Sequence, residues 1–451
     1  MNKSTVHNYV HFIGIGGISM SGIAHILLKR GVKISGSDRS ESNITKILAD
    51  DGATICIGHK AENITNPDLV VYTAAIPADN PELVAAKEKG ITTMERADFL
   101  GELMLDYQLP ISISGTHGKT TTTSMLSTVL LHAEQDPTIL VGGELNIIGG
   151  NYRTGGDKYL VFEGCEYVDS FLKFNPFAAI ILNIEEDHLD YFSGIEQIKQ
   201  SFNKFMKKVP DEGFVVVNAD DKNVMDSLDG LNCKVITYGK NAEFSYENVE
   251  YNENGFGSFD VLHQGQKLCR INLSIGGKHN VSNALAVFAS AYTMGINPEK
   301  IDEGIKLFNG TKRRFEYKGT FNGANVYDDY AHHPTEIAAT LDTARKMTCN
   351  DIWVVFQPHT YTRTKALFND FADVLAKFDK TIITDIYAAR EKNTVGITSD
   401  MLAEKTKNAL YISDFAEIAE HLKANVKPHD IVITMGAGTI TDLSKFLLDI
   451  N

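Results

Sequence analysis

Short apolar runs recur along this chain, and most of them stop at a glycine, a carboxylate or a histidine. His11-Phe12-Ile13, Leu69-Val70-Val71-Tyr72, Pro110-Ile111-Ser112-Ile113, Tyr159-Leu160-Val161-Phe162, Ala178-Ala179-Ile180-Ile181-Leu182, Phe214-Val215-Val216-Val217, Trp353-Val354-Val355-Phe356 and Ile431-Val432-Ile433 are such runs. Continuous rather than alternating hydrophobicity predicts strands buried on both faces. Between them the apolar spacing switches to that of a helix face. Met125-Leu126 with Val129-Leu130 is one case, and Leu367, Phe368, Phe371, Val374, Leu375 and Phe378 make another. Alternation of buried strands with amphipathic helices predicts an α/β fold with parallel sheets. Only Glu243 to Leu273 is polar and alternating, which predicts antiparallel strands at one edge. Boundaries fall near Leu109-Pro110 and Gly310-Thr311-Lys312. They divide the chain into a Rossmann-like unit (1–109), a central phosphate-loop unit (110–311) and a second Rossmann-like unit (312–451).

Length and charge narrow the picture. A chain of 451 residues suits three domains, and 43% apolar with 22% charged residues is ordinary for a soluble protein. A net charge of −15 without a long basic run argues against nucleic acid or an anionic membrane as a partner. Any phosphate site must be built locally. Cys56, Cys165, Cys233, Cys269 and Cys349 are scattered, with no Cys-x-x-Cys pair, so a reducing cytoplasm is expected. The apolar stretch Val10–Leu28 is broken by glycines and His25 and lacks a basic start, which makes a poor signal peptide.

The sharpest chemistry lies in Gly115-Thr116-His117-Gly118-Lys119-Thr120-Thr121-Thr122, between a predicted strand and a predicted helix. Glycines let backbone N–H groups close on phosphate oxygens, and the helix directs its positive end at them. Lys119 then reaches the outer phosphates and Thr120 can hold magnesium. The loop is a short variant, because Ile113 stands where the usual first glycine would be. A second glycine turn, Gly14-Ile15-Gly16-Gly17-Ile18-Ser19-Met20-Ser21-Gly22, follows the first strand. Asp38 ends the next strand, where a ribose hydroxyl is bound in Rossmann folds.

Polar groups directly after buried strands are further candidates. Glu163 and Glu166 follow one strand, and Asp187-His188 follows another. In an open sheet the carboxyl ends of strands line the ligand crevice, and carboxylate with imidazole there could hold magnesium. Toward the C-terminus, Asp328-Asp329-Tyr330-Ala331-His332-His333-Pro334-Thr335-Glu336 opens a helix whose first turn accommodates Pro334. The adjacent histidines have no cysteine or His-x-x-x-His partner for zinc. Gln357-Pro358-His359-Thr360-Tyr361-Thr362-Arg363-Thr364 places Arg363 to grip a carboxylate or phosphate, with Thr364 as the expected helix cap.

Taken together, several of these motifs resemble those of the Mur ligases of peptidoglycan synthesis. They are the Gly115–Thr122 loop, Asn183-x-x-x-Asp187-His188, His279-Asn280-x-x-Asn283, Gly310-Thr311-x-Arg313-Arg314-Phe315 and the Asp328–Glu336 segment. The likeness runs in order from about His11 to Leu447. The first glycine turn and Gln357-Pro358-His359 are similar to the alanine-adding branch.

The resemblance implies a UDP-substrate domain, a central ATPase and a C-terminal lid. It implies that ATP activates the carboxylate of UDP-N-acetylmuramate as an acyl phosphate, which the amine of L-alanine attacks. By resemblance, Gly115, Thr116, His117, Gly118, Lys119, Thr120 and Thr121 would hold the ATP phosphates. His279, Asn280, Asn283 and Arg314 would serve the rest of ATP. Thr120, Glu166 and His188 would bind Mg2+, with Glu163 the alternative to Glu166. Gly14, Gly16, Gly17, Ser19, Met20, Ser21 and Asp38 would bind the UDP moiety. Lys119, Glu166, His188, His359 and Arg363 would act at the reacting end, with Tyr330 or His333 near the incoming amine.

Two departures stand out. Glu163-Gly164-Cys165-Glu166 replaces an acidic Glu-Ala-Asp-Glu, and Ser19 replaces a usual glycine. Neither Lys199 nor Lys204 is placed as the carbamylated lysine of other family members. Three further readings compete: a ligase that recycles a tripeptide onto the same sugar nucleotide, a nucleotide sensor without turnover, and a nicotinamide dehydrogenase. The last leaves Lys119 unexplained.

Overall fold

The computed structural model describes residues 7–189, 191–389 and 391–448. Two compact units emerge. One comprises the described residues within 1–245, 262–268 and 285–304, and the other those within 246–261, 269–284 and 305–451.

The first unit contains two sheets. The N-terminal sheet is built from β1 (Tyr9–Ile13), β2 (Lys33–Asp38), β3 (Thr54–Ile57), β4 (Leu69–Tyr72) and β5 (Thr92–Glu95). Its order is β3-β2-β1-β4-β5 and all its pairs are parallel. The order reverses at β1, so its carboxyl end and the glycine turn beyond it occupy the switch point where such sheets bind ligands.

The second sheet is built from β6 (Leu109–Ser114), β7 (Thr138–Leu145), β8 (Gly150–Arg153), β9 (Tyr159–Gly164), β10 (Ala178–Ile181), β11 (Phe214–Asn218) and β12 (Lys234–Tyr238). In space these run β12-β11-β10-β6-β9-β7-β8. The phosphate loop leaves the carboxyl end of central β6. Glu163 ends neighbouring β9, and Asp187-His188 lies beyond β10 on the other side. The stretch expected as antiparallel edge strands folds as β13 (Phe244–Tyr251), β14 (Phe256–His263) and β15 (Gln266–Gly276), which divide between the two units.

One continuous apolar core joins the two sheets of this unit. It includes Val10 and Phe12 of β1, Ile23 and Leu27 of the helix Ile18–Lys29, Leu140 of β7 and Phe162 of β9. That helix lies so close to the second sheet that a Cβ on Gly22 would stand 2.7 Å from Leu140 Cδ2. The last glycine of the first turn motif therefore serves packing. One turn on, His25 stacks on Tyr152 at 4.1 Å. Both glycine loops are thus carried by a single packed body, and dense interiors of this kind are stiff and transmit strain.

The second unit is organised on β16 (Glu316–Phe321), β17 (Ala324–Asp329), β18 (Ile352–Phe356), β19 (Lys380–Ile383), β20 (Ala409–Tyr411) and β21 (Ile431–Met435). The order is β16-β17-β21-β18-β19-β20. All pairs are parallel except β16 with β17. Apolar clusters cover both faces of this sheet. The only tryptophan of the chain, Trp353 on β18, is 6% exposed, and its indole N–H donates to Asp430 at 3.1 Å. Among the described residues no helix is long and apolar enough to cross a membrane.

Candidate active site

The loop between β6 and the helix Lys119–His132 has the geometry its sequence requires. Gly118 takes φ +86 at the helix N-cap and offers no side chain there, which leaves the first-turn N–H groups open. A Cβ on Gly115 (φ +143) would press within 3.0 Å of Leu182 Cβ and 3.1 Å of Asn183 N. Asn183 pins the loop from the neighbouring strand end. Its Oδ1 accepts from His117 N at 2.7 Å, and its Nδ2 donates to His117 O at 3.0 Å. Thr116 adds a third tie, accepting from Glu185 N at 2.9 Å.

Lys119 folds back into its own loop. Its Nζ donates to the Gly115 and Thr116 carbonyls and to both Glu166 oxygens, at 3.1 and 3.3 Å. Glu166 is nearly fully buried, 3% exposed in its side chain, and His188 Nε2 stands 3.9 Å from its Oε1. Burial by itself would lower the lysine's pKa and is the largest single influence. The combined pull of Glu166, Cys165 and Glu163 outweighs it, so Lys119 is held above its ordinary value as a firm cation.

Thr120 donates to Glu163 Oε2 at 3.1 Å, while Glu163 Oε1 accepts from Gly142 N at 2.6 Å. The two glutamates thus divide the loop, Glu163 on Thr120 and Glu166 on Lys119 and His188. The set offers hydroxyl and carboxylate oxygens, the donor type magnesium takes. Around it the backbone is strained, with φ +49 at Val168, +55 at Asp169 and +54 at His188. Asp169 holds this turn by accepting from Tyr191 Oη at 2.8 Å and from Ser201. The Tyr167 ring lies 4.6 Å from that of His188. Lys199 binds Glu196 and Asp226 at 3.0 and 3.3 Å.

The first glycine turn is knit to β2. Asp38 Oδ2 accepts from Gly16 N at 2.9 Å, so this carboxylate shapes the turn besides facing any ribose. Gly17 caps the helix Ile18–Lys29 with no side-chain bond. Met20 and Ser21 are 2% and 1% exposed, which leaves their backbone, not their side chains, for a ligand. Ser19 is half-buried and accepts from Arg96 Nη1 at 3.2 Å.

In the second unit, Asn280 Nδ2 donates to Gly276 O at 2.6 Å and Asn283 Nδ2 donates to Asn280 Oδ1 at 3.0 Å. His279 packs against Gly277, whose added Cβ would lie 2.6 Å from the ring. Arg313 and Arg314 both stand over the Tyr330 ring, at 4.9 and 5.1 Å. Arg313 is spent on structure, bonding Asp328 at 3.2 Å and Gly436 O at 2.6 Å. His333 caps the helix Pro334–Ala344 through Thr335 N. Asp329, buried and bonded to Ala331 N and Thr340, has its pKa pushed up to about 6 by burial.

His359 and Arg363 meet as the sequence spacing suggests. Because a guanidinium can only donate, His359 Nδ1 accepts from Arg363 Nη1, at 3.2 Å. Burial first, then His332 and Arg363, lower the His359 pKa to about 4, so the ring is neutral near pH 7. The expected cap was misplaced. The helix Tyr361–Ala366 is preceded by Thr360 at φ +65, and Thr364 lies inside it with its hydroxyl on Thr360 O at 2.6 Å. The helix starts earlier because the backbone has already turned at Thr360.

Comparison with known families matches residues 9–108 to the Mur ligase family catalytic domain, 113–291 to the Mur ligase middle domain and 313–438 to the Mur ligase glutamate ligase domain. A UDP-N-acetylmuramate–L-alanine ligase of Acetivibrio thermocellus is 53% identical over 447 residues, 98% of this chain and 95% of that protein. The chain belongs to the Mur ligase family. Among solved structures, this Mur ligase resembles the UDP-N-acetylmuramate-alanine ligase of Thermotoga maritima, with a TM-score of 0.82, 29% identity and 98% of each chain covered. It also resembles a murein peptide ligase of Psychrobacter arcticus, with a TM-score of 0.72, 26% identity and 98% of each chain covered. As in the family, this Mur ligase is an ATP-dependent enzyme of α/β architecture.

Asn183 was named from the sequence only within the Asn183-x-x-x-Asp187-His188 motif, without a role, and Arg96 was not named at all. Asn183 could have been found from its place at the end of a buried strand beside the loop. Arg96 carries no such signal.

Proposed function

We propose that this chain joins L-alanine to the carboxylate of UDP-N-acetylmuramate, through an acyl phosphate formed from ATP, releasing ADP and phosphate. The observation that carries the reading is the 53% identity over 98% of the chain to a protein of that name. The geometry around Lys119 supports it. A carboxylate is a poor acyl donor, and phosphorylation supplies a leaving group. The phosphoryl in transfer needs positive charge on its outer oxygens. Lys119, firmly cationic and lodged beside the open N–H groups of the loop, is suited to that task once phosphate oxygens replace Glu166 as its partner. Magnesium would be held by Thr120, Glu166 and His188, with Glu163 as the second carboxylate, and would add positive charge at the same oxygens.

The further assignments follow the same reading. Residues 1–109 form the sugar-nucleotide domain, 110–311 the ATP domain and 312–451 the lid. The turn Gly14–Ser21 with Asp38 takes the UDP moiety, and His279, Asn280, Asn283 and Arg314 take the adenine end of ATP. His359, neutral at its Nδ1 acceptor, and Arg363 serve the reacting end, with Tyr330 and His333 toward the amine. Closing the lid would keep water from an acyl phosphate that it would hydrolyse. The reaction's substrates are cytoplasmic small molecules.

Phosphate release tests the reading. It should require ATP, UDP-N-acetylmuramate and L-alanine together. Release with a tripeptide but not with L-alanine would favour the tripeptide-recycling ligase, and no release with either would favour a sensor.

A further inference from the structure

Arg96 directly follows β5 and opens the helix Arg96–Leu103. Its side chain is partly buried, and its position is unusual for a charge. Among the described residues it makes one hydrogen bond, to Ser19 Oγ, and no ion pair. A guanidinium carries five N–H donors, so most of this one is left without a protein acceptor. Burial pushes its pKa down, and the charged or titratable groups that face it are Cys165 and Glu95. No Arg96 nitrogen is both buried and unpaired, so its remaining donors reach solvent and are open to an anionic ligand.

Its surroundings indicate what that ligand is. Ser19 belongs to the first turn of the uncapped helix Ile18–Lys29, at the glycine turn where β1 ends at the switch point of its sheet. Cys165 is the neighbour of Glu166, which binds Lys119. Arg96 therefore faces the first glycine turn through Ser19, within electrostatic reach of the Cys165 that neighbours Glu166. Resting on the sugar-nucleotide reading above, we propose that Arg96 is a substrate-binding residue whose guanidinium pairs with the diphosphate of the UDP-sugar, and that Ser19 holds it ready in the empty enzyme. This also gives the serine that replaces a glycine in the turn a purpose. Its hydroxyl parks the arginine, which a glycine could not do.

The test compares wild type, Arg96→Gln and Arg96→Lys by calorimetric titration with UDP-N-acetylmuramate, UDP, uridine and a non-hydrolysable ATP analogue. A charge-assisted bond lost from a recognition site should weaken UDP and UDP-N-acetylmuramate alike in Arg96→Gln, by roughly 10- to 100-fold. Arg96→Lys should lose less. Uridine, which lacks phosphate, and the ATP analogue should bind unchanged. The unfolding temperature of ligand-free Arg96→Gln should stay close to that of wild type, because only the bond to Ser19 is lost. A merely structural arginine would show the reverse, a lowered unfolding temperature with unchanged UDP affinity, and that result would overturn the proposal. So would a loss confined to UDP-N-acetylmuramate with UDP unaffected, because the arginine would then pair with the carboxylate. A wild-type chain that binds neither UDP nor UDP-N-acetylmuramate would overturn the sugar-nucleotide reading itself, and the assignment of Arg96 with it.

Discussion

Lys119 and Glu166 form a buried pair whose energetics are asymmetric in a way that can be measured. Their side chains are 17% and 3% exposed, with contacts of 3.1 and 3.3 Å. At such a separation the gross attraction is about 5 kcal/mol at an effective dielectric constant of about 20. Among the described residues, Lys119→Met leaves Glu166 with His188, 3.9 Å away, as its remaining ion-pair partner. Removing one member of a buried pair costs about 3–5 kcal/mol. Glu166→Gln is milder, because Lys119 keeps the Gly115 and Thr116 carbonyls, and the loss should be about 1–3 kcal/mol. The double variant should lose less than the sum, with a coupling of about 2–3 kcal/mol.

Scanning calorimetry of the ligand-free enzyme near neutral pH is the assay. Lys119→Met should lower the unfolding temperature of the first unit by roughly 5–15 °C, and Glu166→Gln by less. The sign of the pH dependence follows from the lysine's raised pKa. Its stabilising contribution is complete below the unfolded value of about 10.4 and disappears as pH rises through the higher folded value. The coupling should therefore be flat across neutral pH and vanish only in strong alkali. Additive effects, or a larger loss in Glu166→Gln than in Lys119→Met, would refute the reasoning. Lys119→Met should also abolish amide formation while leaving UDP affinity intact.

His359, lowered to about 4, loses stability for its unit as pH falls from about 6.5 to 4, whereas Asp329, raised to about 6, loses it as pH rises from about 4 to 6. Each is worth about 3 kcal/mol at most, so the two nearly cancel. Urea titrations of His359→Gln and Asp329→Asn at pH 4 to 7 should reveal opposite slopes, and identical slopes would count against these environments. Glu166→Gln should raise the magnesium concentration needed for half-maximal turnover. If Glu163→Gln does so alone, the metal carboxylate has been misassigned. For the amino acid, a single methyl group gives only about 10- to 200-fold discrimination in kcat/KM. L-Alanine should lead, followed by L-serine and glycine, then D-alanine, in a steady-state assay. Efficient use of a tripeptide with L-alanine ignored would reverse the ranking.

What the sequence made legible was local. Strand, glycine turn and Lys-Thr are contiguous around Lys119, and His359 with Arg363 is separated by four positions. Buried strands announced themselves because they are apolar on both faces. What stayed hidden depends on partners distant in sequence. Arg96 finds Ser19 across the sheet, Asn183 finds the loop from another strand, and Asp38 spends an oxygen on Gly16. The split between Glu163 and Glu166 could not be read from their spacing. It is set by which of them faces Thr120 and which faces Lys119. Thr364 looked like a cap by type, but the positive φ that starts the helix earlier, at Thr360, has no signature in composition.

The lone tryptophan has a practical consequence. Trp353 sits in the middle of the carboxyl-terminal sheet, so indole emission follows the fate of that sheet and is blind to the body that carries the two glycine loops. Far-ultraviolet dichroism averages over both. Recording the two signals on one sample makes the chain its own two-channel thermometer, and the gap between the midpoints measures how independently the two halves of this enzyme melt.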